Sequence, residues 1–163
     1  MRVLIAYFSQ TGNTEKVARA IYDAVHVDAD IMHIEEARQV DGYDVIFCGF
    51  PVQVHSVPER AQKFIKGLAA GQQVALFSTH GSARGNEKAR TAIEHGVSLA
   101  ARAQVLGTFG CRGEVNPKVI ENLARDLANR PWCEEAQSAF GHPDEADLDD
   151  ARTFAQKILA KVS

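Results

Sequence analysis

No apolar run in this sequence approaches the roughly 20 residues of a membrane-spanning helix. The opening residues, Met1 to Phe8, hold too short an apolar core for a secretory leader and no small-residue cleavage site. A cytoplasmic protein without membrane contact is therefore expected. Cysteine is scarce, and Cys48, Cys111 and Cys133 are odd in number and far apart. That fits neither a disulfide framework nor a zinc site, so free thiols and no metal are expected. Aromatic residues make up only 7% of the chain and nowhere interleave with a basic stripe, which sets nucleic-acid binding aside. There is no internal repeat and no low-complexity linker.

What is present fits one domain over residues 1–163, because 45% of the residues are hydrophobic, enough for a sheet covered on both faces. The net charge of -3 is unevenly spread: residues 1–58 carry 4 basic and 8 acidic side chains, residues 59–102 carry 7 and 3, and residues 103–163 carry 7 and 10. The middle is basic and the ends are acidic.

Apolar runs Val3–Ala6, Ile31–Ile34, Val45–Gly49, Val74–Phe77 and Val105–Cys111 read as strands. Between them, apolar residues recur with a helical period from about Thr14 to His26, from Pro58 to a stop at Gly71, and from Asn86 to Ala103. A further helix is expected from Asn116 and Pro117, ending before Pro131, and a last one from Leu148 to Val162. Trp132 to His142 shows no clear period. This alternation implies a doubly wound, mostly parallel sheet that binds ligands at the carboxyl ends of its strands. The loops there are Ser9–Thr14, Phe50–Ser56 and Ser78–Gly85.

The first loop joins a strand to a helix, where free backbone N–H groups and the helix dipole favour an anion. Gly12-Asn13-Thr14 lacks the lysine of a nucleoside-triphosphate loop, and Gly12 alone cannot supply the spaced glycines of a dinucleotide fingerprint. Tyr7-Phe8-Ser9 lacks the carboxylates of a phosphorylated receiver. Ser9, Gln10, Thr11, Gly12, Asn13 and Thr14 instead resemble the Ser/Thr-x-Thr-Gly-x-Thr turn with which flavodoxins hold the phosphate of FMN. Gly49-Phe50-Pro51-Val52 is similar to a Gly-x-Pro-x segment of the wider flavodoxin-like group, which includes FMN-linked quinone reductases.

The resemblance implies a flavodoxin-like α/β fold: a five-stranded parallel sheet in the order 2-1-3-4-5 with helices on both faces. It implies FMN contacts from Ser9 to Thr14, from Pro51, Val52, Gln53, Val54 and His55, and from Thr79, His80, Gly81 and Ser82. The implied function is electron transfer between redox protein partners that dock on the charged faces. An NAD(P)H-dependent reductase of quinones or other small acceptors is the alternative, and a flavin-free interaction module a third reading. No catalytic acid, base or nucleophile constellation emerges.

The second and third loops depart from the family, in which aromatic side chains often flank the flavin. Their one aromatic carbocycle, Phe50, is expected to face the core, leaving Val52, Val54, His55 and His80 to flank the ring. Phe50–Ser56 has no glycine, so a peptide flip there is costly. Neither loop contains a carboxylate, whereas Arg84 and His80 are close in sequence, which implies a weaker repulsion of a reduced, anionic flavin. Cys48 is expected in the core and Cys111 as a buried thiol. Residues 113–142 lengthen the connection before the last helix, and would cover the site and bring Trp132 near it.

Overall fold

The computed structural model describes residues 1–162. In chain order it contains β1 (Arg2–Tyr7), α1 (Asn13–Ala24), β2 (Asp28–His33), β3 (Val45–Pro51), α2 (Glu59–Lys66), β4 (Gln73–His80), α3 (Glu87–Leu99), β5 (Gln104–Arg112), α4 (Pro117–Ala124), a 3-10 turn (Leu127–Asn129), α5 (Arg130–Gln137) and α6 (Glu145–Leu159). The strands form one parallel sheet in the order β2-β1-β3-β4-β5. Among the described residues, no helix is long and apolar enough to cross a membrane.

Parallel strands buried on both faces need apolar side chains at every position, and Val45 to Phe50 of β3 are all buried. Val3, Ile5, Phe47 and Phe77 meet Val17, Ile21, Ala151 and Ala155 of α1 and α6 on one face. Leu4, Ile46, Cys48, Phe50 and Leu76 meet Ala61 and Ile65 of α2 and Ile93 and Leu99 of α3 on the other. Right-handed crossovers produce this division. Gly96 inside α3 lets that helix approach the sheet, for a Cβ there would stand 3.2 Å from the Phe50 ring and 3.3 Å from Leu76.

The second strand and the helix from Pro117 differ from the pattern expected. β2 begins at Asp28, three residues before the apolar run. Its carboxylates are accommodated because this is an edge strand, where Asp30 accepts the Tyr43 hydroxyl at 2.6 Å and the Arg2 guanidinium at 2.9 Å. The hydroxyl bond, more than the arginine, holds the Asp30 carboxyl below its usual range. The helix from Pro117 ends at Ala124 rather than near Pro131. Leu127, beyond that end, is 69% exposed, and Pro131 lies in the first turn of α5. A missing N–H costs nothing there, so this proline opens a helix instead of following one.

Candidate functional site

At the carboxyl edge the turn after β1 is shaped by Gly12, the N-cap of α1, at φ 93° and ψ -6°. That left-handed conformation suits glycine, and nothing lies within 4 Å of where a Cβ would stand. No side chain caps the helix, so the N–H groups of its first turn are left to face an external acceptor. The Ser9 hydroxyl accepts the Gly12 N–H at 3.1 Å, which keeps its own proton free to donate. Thr14 is 1% exposed and its hydroxyl meets that of Thr79 at 2.9 Å. The side chains of Gln10 and Asn13 turn elsewhere: Gln10 accepts the Gln53 amide at 2.7 Å, and Asn13 donates to the Glu114 carbonyl at 2.8 Å. Thr11 is exposed.

The loop after β3 follows Pro51 and is tied to β4 by the Val52 N–H, which donates to the Thr79 carbonyl at 2.8 Å. Gln53 and Ser56 exchange two backbone bonds of 2.9 Å. This forces Val54 to φ 48° and His55 to φ 59°, conformations costly for residues with a Cβ and worst for a β-branched one. The missing glycine thus becomes local strain in a tight reversal. Val54 projects 96% exposed.

The loop after β4 is shorter than its sequence indicated, because β4 continues through Thr79 and His80. His80 is 6% exposed, and its Nδ1 lies 2.8 Å from the Ser82 carbonyl. A carbonyl only accepts, so Nδ1 carries the proton. Burial, with Arg112 and Arg84 adding to it, lowers the His80 pKa despite the Ser82 bond. His80, expected to flank the ring from a loop, is a buried residue at the end of β4, held below its ordinary value. His55 is exposed, and its pKa is lowered by partial burial and by the charge of Lys88. Ser82 is buried and Gly81 lies under Val115.

Residues 113–142 fold across this edge. Gly113 donates to the His80 carbonyl at 2.9 Å. Glu135 of α5 accepts the Ala83 N–H at 2.6 Å and the Asn86 amide at 3.2 Å. Arg112, at the end of β5, reaches the last turn of α5 and donates to the Glu135 carbonyl at 2.8 Å and to the Ser138 hydroxyl at 2.6 Å. A cation there also suits the negative end of the helix. Trp132 stands edge to face with His55, with ring centres 6.0 Å apart.

Residues 4–156 match the family model of the flavodoxin domain. The chain belongs to the flavodoxin family. The flavodoxin-like domain-containing protein BilS of Clostridioides difficile (strain CD3) is 28% identical over 175 residues, covering 100% of this chain and 99% of BilS. The flavodoxin of Streptococcus pneumonia TIGR4 has the same fold, with a TM-score of 0.68 at 13% identity over 99% of each chain. A flavoprotein of Lactobacillus acidophilus NCFM, solved in complex with FMN, gives a TM-score of 0.54 at 19% identity over 67% of this chain and 92% of its own.

On this flavodoxin fold the electrostatics of the edge differ from a count along its loops. Arg84 is bound by Asp150 at 2.5 Å and lies over the Phe109 ring, His80 is neutral, and the Glu135 carboxylate arrives from α5. Arg112, bonded to carbonyls and a hydroxyl rather than to a carboxylate, is the cation that the end of β5 adds to this edge. Elsewhere Arg60 pairs with Glu35 at 2.6 Å and Lys63 with Glu59 at 3.1 Å, both exposed and weak. On the acidic side, Arg152 meets Glu145 and Asp149. His142, Asp144 and Asp147 offer ligand atoms within 4.8 Å of one another, and the same side chains form the capping box of α6 and its bond to His142. A cleft of about 650 Å³ under Met1, Tyr43 and Gln72 lies at the amino edge, and one of about 350 Å³ lies between Val115, Ile120, Ala136 and Phe140. Neither is lined by a candidate residue.

Proposed function

We propose that this protein binds FMN at the carboxyl edge of its sheet and carries electrons between redox partners, residues 1–163 acting as one folded unit. The observation that carries the reading is the uncapped turn at Gly12, where no side chain caps α1, the Ser9 hydroxyl accepts the Gly12 N–H and keeps its proton, Thr11 is exposed and nothing stands over Gly12. Neutral donors at a helix N-terminus fit a phosphate monoester. The first-turn N–H groups of Asn13 and Thr14 would hold that phosphate, and the Thr14–Thr79 hydroxyl pair braces the turn against β4. Pro51 to His55 on one side and Thr79 to Ser82 on the other form the walls nearest the turn. Gln10 and Gln53, joined at 2.7 Å, link the turn to the first of those walls.

Bound FMN supplies one- and two-electron transfer, and the chain's contribution is to hold the cofactor and shape its surroundings. Membership of the flavodoxin family supports this reading, as does likeness to a flavoprotein that was solved with FMN. Cys48 and Cys111 stay outside the chemistry: both are fully buried, and burial pushes their thiols up to about 12. Redox partners would dock on the charged faces, with Arg60, Lys63 and Lys66 of α2 on the basic one.

The test is the absorbance spectrum of the purified protein, followed by removal of the flavin and reconstitution with FMN. Flavin bands restored by one equivalent of FMN support the proposal, and a protein that stays colourless rejects it. Rapid bleaching by NAD(P)H alone would replace the carrier role with the reductase.

A further inference from the structure

We infer that Trp132 provides an aromatic surface against the flavin ring, which the loops after β3 and β4 do not; this rests on the FMN reading above. A flat heteroaromatic ring is held best by flat apolar side chains. The aromatic groups at the strand ends are committed elsewhere, and Phe140, the other aromatic of residues 113–142, projects 80% exposed at the cleft around Ile120 and Ala136. Phe50 and Phe77 are fully buried in the two cores, and Tyr7 and Phe8 pack edge-on against His33 of β2.

Trp132, the single tryptophan of the chain, is half-buried where the loops meet. Its Cζ2 lies 3.5 Å from the position of a Cβ on Gly81, and its ring is 6.0 Å from that of His55. Gly81 and His55 belong to the two loops proposed as the cofactor's walls, so the indole bridges them. The segment that carries it is fastened to the phosphate turn by Asn13 and Glu114, to the loop after β4 by Ala83 and Glu135, and to β5 by Arg112 and Ser138. Behind the indole, Val115, Ile120 and Cys133 form a small core of their own. Trp132 is thereby held at the cofactor's edge by contacts to each neighbouring loop.

The test follows the emission of flavin bound to the wild type, Trp132→Phe and Trp132→Leu, with melting curves showing that the variants are folded. An indole at van der Waals contact quenches flavin emission, whereas a phenyl or isobutyl group does not. The wild-type complex should be nearly dark and both variants several-fold brighter. Trp132→Phe should bind FMN within about 2-fold of wild type, and Trp132→Leu about 2- to 10-fold more weakly. Unchanged emission in both variants overturns the inference, as does tighter binding by Trp132→Leu, which would make the indole an obstacle. Either result leaves the FMN reading standing. A wild type that takes up no FMN rejects that reading and this inference together.

Discussion

Gly81→Ala tests whether residues 113–142 are packed onto the site or merely lie beside it. The backbone of Gly81 is not in the left-handed region, so alanine meets no conformational penalty, and its effect is steric. The new Cβ would stand 2.4 Å from Val115 Cγ2, about 1 Å inside the carbon–carbon optimum of roughly 3.5–4.0 Å. Val115 is short and β-branched and cannot swing aside as a longer side chain would. Ala136 and Trp132, each at 3.5 Å, would remain in ordinary contact, so the strain falls on one side chain. Overpacking of this kind costs about 1–3 kcal/mol. Trimming the partner in Gly81→Ala/Val115→Ala removes the clash, and the pair should show a coupling of about 1 kcal/mol in a double-mutant cycle from urea unfolding. The emission of Trp132 reports the same event locally, since separation of α5 from Gly81 wets the indole and shifts its maximum to the red. Additive unfolding free energies, together with an unshifted maximum in Gly81→Ala, would refute the packing argument.

Gly49 lies opposite Phe77 in the β3–β4 register, and a Cβ there would stand 2.1 Å from the Phe77 ring. Gly49→Ala should therefore lower stability by about 3 kcal/mol or more, with partial rescue by Phe77→Leu, both read from denaturant midpoints. Thr79→Val removes the hydroxyl partner of buried Thr14 and should cost about 1–2 kcal/mol, with a several-fold loss of FMN affinity by titration; an unchanged affinity would detach that pair from the phosphate turn. The folded protein holds His80 below its ordinary value of 6.5, so the unfolded chain binds a proton more readily. This contribution is complete above about pH 6.5 and is lost as the pH falls toward the folded value. Melting temperatures should drop over that range in the wild type and drop less in His80→Gln, and parallel profiles would remove His80 as a source.

The five strands and the two helical layers were legible because each rests on a local period or on the handedness of crossovers, while the strand order came from the family resemblance. The turn from Ser9 to Thr14 was legible for the same reason, since its residue types act within a few positions. The surroundings of the site were not. Asn13 meets Glu114 across 101 residues and Ala83 meets Glu135 across 52, and no local pattern announces such pairs. Glu135 was missed because charges were counted along the loops, while the carboxylate comes from α5. The aperiodic stretch from Trp132 to His142 hid a short helix whose apolar face packs a small satellite core. Residues too few for a recognisable period still fold when the rest of the chain supplies the partner surface. Trp132 was the readable signal there, as the single tryptophan of the sequence.

The Glu114 N–H donates to the His142 carbonyl at 2.7 Å, so the chain leaves the sheet layer and returns to it through a gap one hydrogen bond wide. Both ends are anchored beside β5 and α6, and the small core between them is separate from the two that cover the sheet. Architecturally, the intervening residues are a cassette with adjacent terminals. Its adjacent ends let it join the fold without parting two strands, while its bonds to Asn13 and Ala83 set it across the ends of those strands.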